Sequence, residues 1–451
     1  MNDPRRFAGP GASSSLRLPR LAALLLACAT TTAAFADWPQ FRGADGSAAL
    51  PGAQLPVALN PARHIAWQVP LPGRGLSSPI VVGDRVFVTC SSGPKQTRLH
   101  VIAFRASDGT RLWERQFVAT GRTMCHPKTS VAANTPATDG RHLFALFSSN
   151  DLFALDLEGN LVWLRALALD YPNVSNSLGM ASSLLVVEGT VVAQVENDTQ
   201  PLALGLDAAT GVNRWKHDRP KLANWTSPVA FRDPVTGRMR VALQSGRGLL
   251  AVDPVTGEEG WNYPDGASTV ASTAASGGVL FVPSFGITAL QPGPAGQSPA
   301  QLWRAGTLRP GTSSPAVLAD RLYVVNAAGV LTAGDADTGQ RLWQVRLKGP
   351  FSASPVIAGH HLYLPNETGL LQVVDLSRPE GEVVGELPLE DIILSTPSIS
   401  DNALYLRSDR TLWKIADQGS EAASSAASSS SPATGSTPAS ASGSGSASDS
   451  V

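Results

Sequence analysis

The chain has 451 residues, of which 43% are hydrophobic and only 16% are charged, with a formal net charge of −1 at pH 7. This balance, without any basic stripe, excludes nucleic acid as the expected partner. The 42 glycines and 34 prolines are typical of short strands joined by turns, and helical periodicity is absent beyond the N-terminus.

Residues 1–36 are predicted to be a signal peptide that is removed on export. Arginines precede a short apolar run over residues 21–29, and residues 34–36 read Ala-Phe-Ala, the small–x–small pattern of a cleavage site. The run is too short to span a bilayer, so we expect an exported, periplasmic protein without a transmembrane segment. Residues 25–28 resemble a bacterial lipobox, which makes lipid anchoring through Cys28 the alternative.

Tryptophan recurs after a short N-terminal extension (residues 37–63) at intervals of 40 to 52 residues, the period range of propeller blades. Most of these tryptophans end a sequence motif that consists of a strand, an Asp, a turn with Gly and a second strand. The motif is clearest in AVDPVTGEEGW (251–261) and AGDADTGQRLW (333–343). Glycine suits the tight turn because it adopts positive φ freely, and Asp bonds the turn backbone. The seven tryptophans are Trp67, Trp113, Trp163, Trp215, Trp261, Trp303 and Trp343.

A second motif alternates with the first. It opens with Ser or Thr, usually followed by Pro, and continues as an apolar run broken by a two-residue turn, as in SSPIVVGDRVFV (77–88). Such a run predicts a hairpin. One repeat therefore holds two hairpins, or four antiparallel strands, which make one propeller blade. The eight openings lie near residues 77, 135, 182, 226, 272, 313, 352 and 395.

These counts predict an all-β, eight-bladed β-propeller over residues 64–417, in which the N-terminal strand HIAWQVPL (64–71) completes the last blade. That overlap removes exposed sheet edges. Seven blades is the alternative, if the weak fifth repeat merges with a neighbour. In the seventh repeat, Val384 stands where the tryptophan is expected. Residues 418–451 are almost only Ser, Ala, Gly, Thr and Pro, and are predicted to be a disordered tail.

The eight small polar openings are expected to surround the central channel. Eight strands converge there, so large side chains would collide, and the hydroxyls can bind backbone groups or water. A small ligand in the channel mouth is the alternative.

The A-x-D-x-x-T-G-x-x-x-W phrase, together with WPQFRG (38–43), resembles the pyrroloquinoline-quinone-type propeller family over about residues 38–416. The resemblance implies that the tryptophans dock against the adjacent blade. The segments 125–140 and 170–183 look like a bacterial branch typified by BamB, the propeller lipoprotein of the outer-membrane barrel-assembly machinery. That branch implies a non-catalytic, monomeric disc whose loops bind envelope proteins, barrel-assembly components among them.

The other class of this family consists of quinoprotein dehydrogenases, and it is the functional alternative. Those enzymes use the quinone with Ca²⁺, and resemble one another in an adjacent Cys-Cys pair and often a C-x-x-C-H haem segment. This chain has three cysteines, none adjacent, and lacks C-x-x-C-H. Neither H-x-x-x-H nor C-x-x-C occurs, so a zinc site lacks its usual ligand spacing. We therefore expect no catalysis, no metal and no quinone cofactor.

The longest connections cluster in the first three repeats and emerge on one face of the disc. They span residues 91–98, 118–134, 168–181 and 196–201. Function tends to lie on such loops while the strands stay rigid, so this sector is the candidate partner surface. The alternative is that the loops only cover the channel mouth. The candidate binding residues are Lys95, His126, Lys128, Tyr171, Asn173, Asn176, Glu196 and Asn197.

Cys90 and Cys125 are the two cysteines of the exported chain, and both approach this face. A disulfide could persist in an oxidising compartment, provided that the Cα atoms come within about 7 Å. The sequence leaves both states open.

Overall fold

The structure is a computed structural model that describes residues 37–174, 178–294 and 296–417. The predicted signal peptide with Cys28, and the predicted tail (418–451), lie outside the described residues. Within the described part, no helix combines the length and apolar character needed to cross a membrane.

The described chain forms two one-turn helices and 33 strands. The first elements are β1 (Ala49–Leu50), α1 (Pro61–His64) and β2 (Ile65–Pro70). Blade 1 contains β3 (Ile80–Val82), β4 (Arg85–Ser92), β5 (Arg98–Arg105) and β6 (Arg111–Val118). Blade 2 contains β7 (Ala137–Thr138), β8 (His142–Leu146), β9 (Asp151–Asp156) and β10 (Leu161–Ala166), and α2 (Leu167–Asp170) follows it. Blade 3 contains β11 (Leu185–Val187), β12 (Thr190–Val195), β13 (Leu202–Asp207) and β14 (Asn213–Asp218). Blade 4 contains β15 (Val229–Arg232), β16 (Met239–Ser245), β17 (Gly248–Val252) and β18 (Glu259–Tyr263).

The second half repeats the pattern. Blade 5 contains β19 (Ala274–Ser276), β20 (Val279–Ser284), β21 (Gly286–Gln291) and β22 (Ala300–Ala305). Blade 6 contains β23 (Ala316–Leu318), β24 (Arg321–Val325), β25 (Val330–Asp335) and β26 (Arg341–Arg346). Blade 7 contains β27 (Val356–Ala358), β28 (His361–Pro365), β29 (Leu370–Asp375) and β30 (Glu382–Pro388), with β1 added in parallel to β27. Blade 8 contains β31 (Ser398–Ser400), β32 (Ala403–Arg407), β33 (Thr411–Ile415) and β2.

The last blade is built from both ends of the folded chain. Its outer strand β2 pairs antiparallel with β33, with Trp67 opposite Lys414 and Val69 opposite Leu412. The prediction of eight four-stranded blades closed by the N-terminal strand is thus confirmed, and the seven-blade alternative is wrong. The fifth repeat, weak in sequence, still forms its own four-stranded sheet.

Each tryptophan of the repeat stands on an outer strand and reaches the next blade. In five of the seven, the indole Nε1–H donates to a carbonyl in the turn between the third and fourth strands of that blade, and the ring covers the turn glycine. At Gly109, where φ is +74°, a Cβ would lie 2.9 Å from the Trp67 ring, so only glycine fits beneath the indole. The bonds are Trp67 to Ala106 (3.0 Å), Trp113 to Leu157 (2.9 Å), Trp163 to Ala208 (3.0 Å), Trp215 to Pro254 (2.9 Å) and Trp303 to Ala336 (3.0 Å).

Blade 7 breaks this pattern, and the expectation that Val384 takes the tryptophan's place is wrong. Trp343 of blade 6 stands opposite Ala333, and the residue in that register of blade 7 is Gly385, opposite Val373. A Cβ at Gly385 would collide with the carbonyl oxygen of Val57, because the N-terminal extension crosses the strand there. Blade 8 also lacks a turn between its third and fourth strands, since these are the two chain ends. A tryptophan in blade 7 would have no turn to dock on.

The segment 38–48 seals the channel on the face that carries the tight turns. It runs past the inner strands of most blades and bonds to them one after another. One pair of backbone bonds joins Trp38 to Val81 in blade 1. At the other end, the carbonyl of Ser47 accepts from Val317 in blade 6, and that of Ala48 accepts from Ile357 in blade 7. Between these ends, the contacts are Pro39 to Thr138, Gln40 to Val186, and Arg42 to the carbonyls of Thr273 and Pro315.

The contribution of the buried indole bond to stability can be measured by comparison with Trp261, which lacks the bond. Trp215 donates to Pro254, whereas Nε1 of the equally buried Trp261 has no partner among the described residues. We expect Trp215→Phe to lower the free energy of unfolding by about 1 kcal/mol more than Trp261→Phe, since both lose the same ring volume but only one loses a hydrogen bond. Urea titration followed by circular dichroism checks this. Equal losses would contradict the docking role of the bond.

Candidate functional site

The disc has two different faces. One carries the tight turns within each blade and the segment 38–48. The other carries the connections between the second and third strands and the connections from blade to blade; we call it the loop face. The loops predicted at residues 91–98, 118–134 and 196–201 lie on the loop face, as do the described parts of the 168–181 loop, residues 168–174 and 178–181.

A belt of hydroxyls surrounds the channel axis, at the blade openings read from the sequence. In each link, the hydroxyl of one blade accepts a hydrogen bond of 2.9 to 3.1 Å from the opening peptide N–H of the blade before it. Seven such links join the eight blades. The belt consists of Ser78, Thr135, Ser183, Ser227, Ser272, Ser314, Ser354 and Thr396.

The belt lines an axial cavity of about 160 Å³. The residues two positions earlier in each opening form the rim of the cavity and include Leu76, Trp225 and Leu394. Phe41 of the N-terminal segment also lines the cavity. The residues that line the cavity offer hydroxyls and apolar groups, with no carboxylate among them. Ca²⁺ is bound mainly by carboxylate and carbonyl oxygens, so this lining does not fit a quinone held with calcium. Within the described chain, no group of three or more His, Cys, Asp or Glu side chains is placed to hold a metal ion.

The structure brings the exposed candidates of the first blade's loops together. Lys95 is exposed at the tip of its loop, and Gln96 beside it accepts from the backbone N–H of Val131 (3.1 Å), which ties two of the loops. His126 is also exposed, and its backbone donates to Leu178 (2.9 Å). Nζ of Lys128 lies 2.7 Å from Glu367 of blade 7. The 118–134 loop thus reaches blade 7, which is separated from blade 1 by blade 8 alone.

Tyr171 and Asn173 lie on the next connection. The Tyr171 hydroxyl accepts from Asn213 (2.7 Å), and the exposed Asn173 accepts through its carbonyl from Thr199 (2.5 Å). Asn176 lies outside the described residues. These contacts fix the loop to blade 3 and leave Asn173 accessible.

Glu196 and Asn197 do not belong to the exposed surface, because both side chains are buried in blade 3. Glu196 pairs with Arg219 (2.5 Å) and accepts from Asn224 (2.9 Å). Burial raises the pKa of Glu196 above its usual value, and the Arg219 charge opposes that rise. Asn197 caps its own loop by accepting from the backbone N–H groups of Thr199 and Gln200. Both side chains hold the loop in shape and lie beneath the exposed surface.

The two cysteines are free thiols, each with its own partner. Cys90 is buried and its Sγ accepts from Arg407 (3.5 Å), and burial raises the pKa of its thiol. Cys125 is half-buried and accepts from Gln96 (3.6 Å). The disulfide allowed by the sequence is therefore not formed in this structure.

The loop face also carries exposed apolar side chains that the sequence analysis missed. The candidates predicted from the sequence are polar residues of the long loops, whereas several of these apolar side chains lie in shorter connections. Near the channel mouth, Trp225 connects two of them: its indole donates to Gly179 (2.8 Å), beside Leu178, and its backbone donates to Thr269 (2.8 Å), beside Val270. The set is Val118, Met124, Leu169, Leu178, Leu222, Val270, Phe285 and Ile392.

An eight-bladed ring of A-x-D-x-x-T-G-x-x-x-W repeats, with indoles docked from blade to blade, defines a PQQ-like repeat propeller. A protein-family model matches residues 52–196, 174–284 and 284–447, which together make up most of the chain. The chain belongs to the family described as outer membrane protein assembly factor BamB.

One curated relative carries the same description, and solved structures of two kinds share the fold, all at low identity. The outer membrane protein assembly factor BamB of Moranella endobia (strain PCIT) is 26% identical over 163 residues, which are 36% of this chain and only 37% of that protein. The crystal structure of BamB from Moraxella catarrhalis superposes with a TM-score of 0.57 at 16% identity, covering 78% of this chain and 97% of that one. The quinohemoprotein alcohol dehydrogenase from Comamonas testosteroni superposes with a TM-score of 0.61 at 15% identity, covering 85% and 81%. Both superpositions show the fold alone.

The hydroxyl belt gives a direct test of its structural role. Ser183→Ala leaves the buried N–H of Thr135 without its acceptor, and we expect a loss of about 1–3 kcal/mol in the free energy of unfolding. The neighbouring Ser182→Ala is the control, since its buried hydroxyl makes no hydrogen bond among the described residues. Chemical denaturation measures both. If the two variants lose the same stability, the belt does not hold the blades together.

Proposed function

We propose that this protein is an exported, non-catalytic scaffold of the bacterial cell envelope, which binds a protein component of outer-membrane barrel assembly through its loop face. The observation that carries the proposal is the concentration of exposed apolar side chains on that face. Contiguous apolar surface of this kind marks protein interaction sites, and single exposed residues do not. The name of the family and of its curated relative, an outer membrane protein assembly factor, supports the kind of partner.

The scaffold fits this role because the strands are fixed and the loops are free to differ. Each blade is held by the indole dock and by the hydroxyl belt, so the loop face is a rigid platform. A preorganised surface loses little conformational entropy on binding, which favours affinity. We further propose a monomer that remains periplasmic, either cleaved after Ala36 or anchored by lipid at Cys28.

The partner surface can be tested with charge substitutions on the two faces. Leu222 and Val270 lie on the loop face, and Val235 and Val255 are similarly exposed in turns of the opposite face. We expect the double variant Leu222→Arg/Val270→Arg to reduce co-purification of barrel-assembly components from cross-linked envelopes about tenfold or more, because a buried charge at an interface centre is costly. Val235→Arg/Val255→Arg is the matched control. Equal recovery from both variants would refute the loop face as the docking surface.

The quinoprotein alternative has a separate test. It is favoured by the superposition on the alcohol dehydrogenase, which concerns the fold only. We expect the purified protein, supplied with pyrroloquinoline quinone and Ca²⁺, to show neither saturable quinone binding nor dye-linked alcohol oxidation, since the axial cavity lacks carboxylates. Activity and binding in both assays would replace the scaffold proposal by the enzyme.

A further inference from the structure

The outer strand of blade 2, β10, differs from its counterparts in the ring. It exposes Leu161, Val162 and Leu164, with exposed fractions of 50%, 44% and 44%. Among the described residues, no other outer strand exposes more than two large apolar side chains. The three side chains therefore form a local property of this blade and not a feature of the repeat.

The position after the tryptophan shows the difference most clearly. In blade 2 it is Leu164. In the seven other blades the residue in the same place is polar or charged: Gln68, Glu114, Lys216, Asn262, Arg304, Gln344 and Glu386. Charged and polar side chains on edge strands prevent pairing with other chains. Blade 2 lacks this protection.

The backbone of β10 is available on its outer side. β10 is the last strand of its sheet, and β9 is its single strand partner within the described residues. The peptide groups on the other edge can therefore accept a further strand. The one charged residue of β10, Arg165, pairs with Asp170 of α2 (2.7 Å) and donates to the carbonyl of Gly211 in blade 3 (2.6 Å).

We propose that β10 is a strand-addition site: the protein partner required by the proposed function adds an extended, uncharged segment with alternating apolar residues to the outer edge of blade 2. Main-chain hydrogen bonds would supply the pairing, and Leu161 and Leu164 would select apolar side chains. The charge of the edge decides against an acidic or basic segment, because Arg165 is already neutralised by Asp170 and Glu158 in the preceding turn pairs with Arg85.

The site is continuous with the loop face. Leu169, with 69% of its surface exposed, follows β10 directly in α2 and belongs to the apolar set of the loop face. β10 has six residues and is about 20 Å long. A strand of this length buries less surface than the roughly 1,200 Å² that a stable interface requires. The partner is therefore a folded domain that presents an edge strand to β10 and covers the adjoining loop face.

Amide hydrogen exchange on the exported full-length protein tests the site with a defined probe, a capped hexapeptide of alternating threonine and valine. We expect the peptide to slow exchange within residues 161–166 about tenfold, while β26, which carries Gln344 in the matching position, is unchanged. Leu164→Lys should abolish the effect without unfolding the protein, because blade 3 tolerates Lys216 in the same place. Gln344→Lys is the matched control.

The outcomes separate this inference from the function on which it rests. Equal protection of β10 and β26, or none at all, overturns strand addition. Protection that appears without peptide as protein concentration rises identifies a second copy as the occupant, and also overturns it. Another outcome is that barrel-assembly components co-purify while the β10 amides in that complex exchange as fast as in the free protein. That result would support the proposed function and refute the strand-addition site. If the peptide protects β10 but no component co-purifies, the site stands and the function falls.

Discussion

Ring closure at the eighth blade is the constraint on which the rest of this structure depends. A propeller of separate four-stranded sheets has no covalent circle, so one blade must join the two ends of the chain. Here β2 supplies the outer strand to β33, and α1 and the crossing segment near Val57 bring the N-terminal extension to that place. Without this pairing, β33 would present an unsatisfied edge to solvent and β2 would have no partner strand.

Two sets of hydrogen bonds link neighbouring blades around the ring, one near the outer strands and one near the axis. The indole docks link the outer strand of one blade to the turn of the next, and the hydroxyl belt links the openings at the axis. The N-terminal segment 38–48 adds bonds to the inner strands on the turn face. The pairing of the two chain ends in blade 8 explains why blade 7 departs from the repeat. Blade 7 has no tryptophan because blade 8 has no turn to receive it, and Gly385 leaves room for the N-terminal extension to pass.

This scaffold separates stability from recognition. The bonds that hold the ring lie at the axis, between blades and on the turn face. The side chains of the loop face therefore do not stabilise the ring, apart from those that anchor their own loops. Glu196 and Asn197 are such anchors. The same architecture carries quinone chemistry in other propellers, but in this chain the axis is lined by hydroxyls and apolar groups. The surface available for function is therefore the apolar loop face and the unprotected edge of blade 2.

The sequence by itself favoured eight blades over seven, and it predicted the position of the closing strand and the ring of small hydroxyl side chains at the axis, because each depends on a local motif repeated along the chain. Period and turn chemistry suffice for that. It placed Lys95, His126 and Lys128 correctly on an exposed surface, since loop position alone decides their exposure. It could not tell that Glu196 would be buried against Arg219, that Gly385 and not Val384 matches the tryptophan register, or that Leu164 is exposed while similar leucines are core. Those outcomes depend on bulges and on contacts between residues far apart in the chain, which only the closed ring brings together.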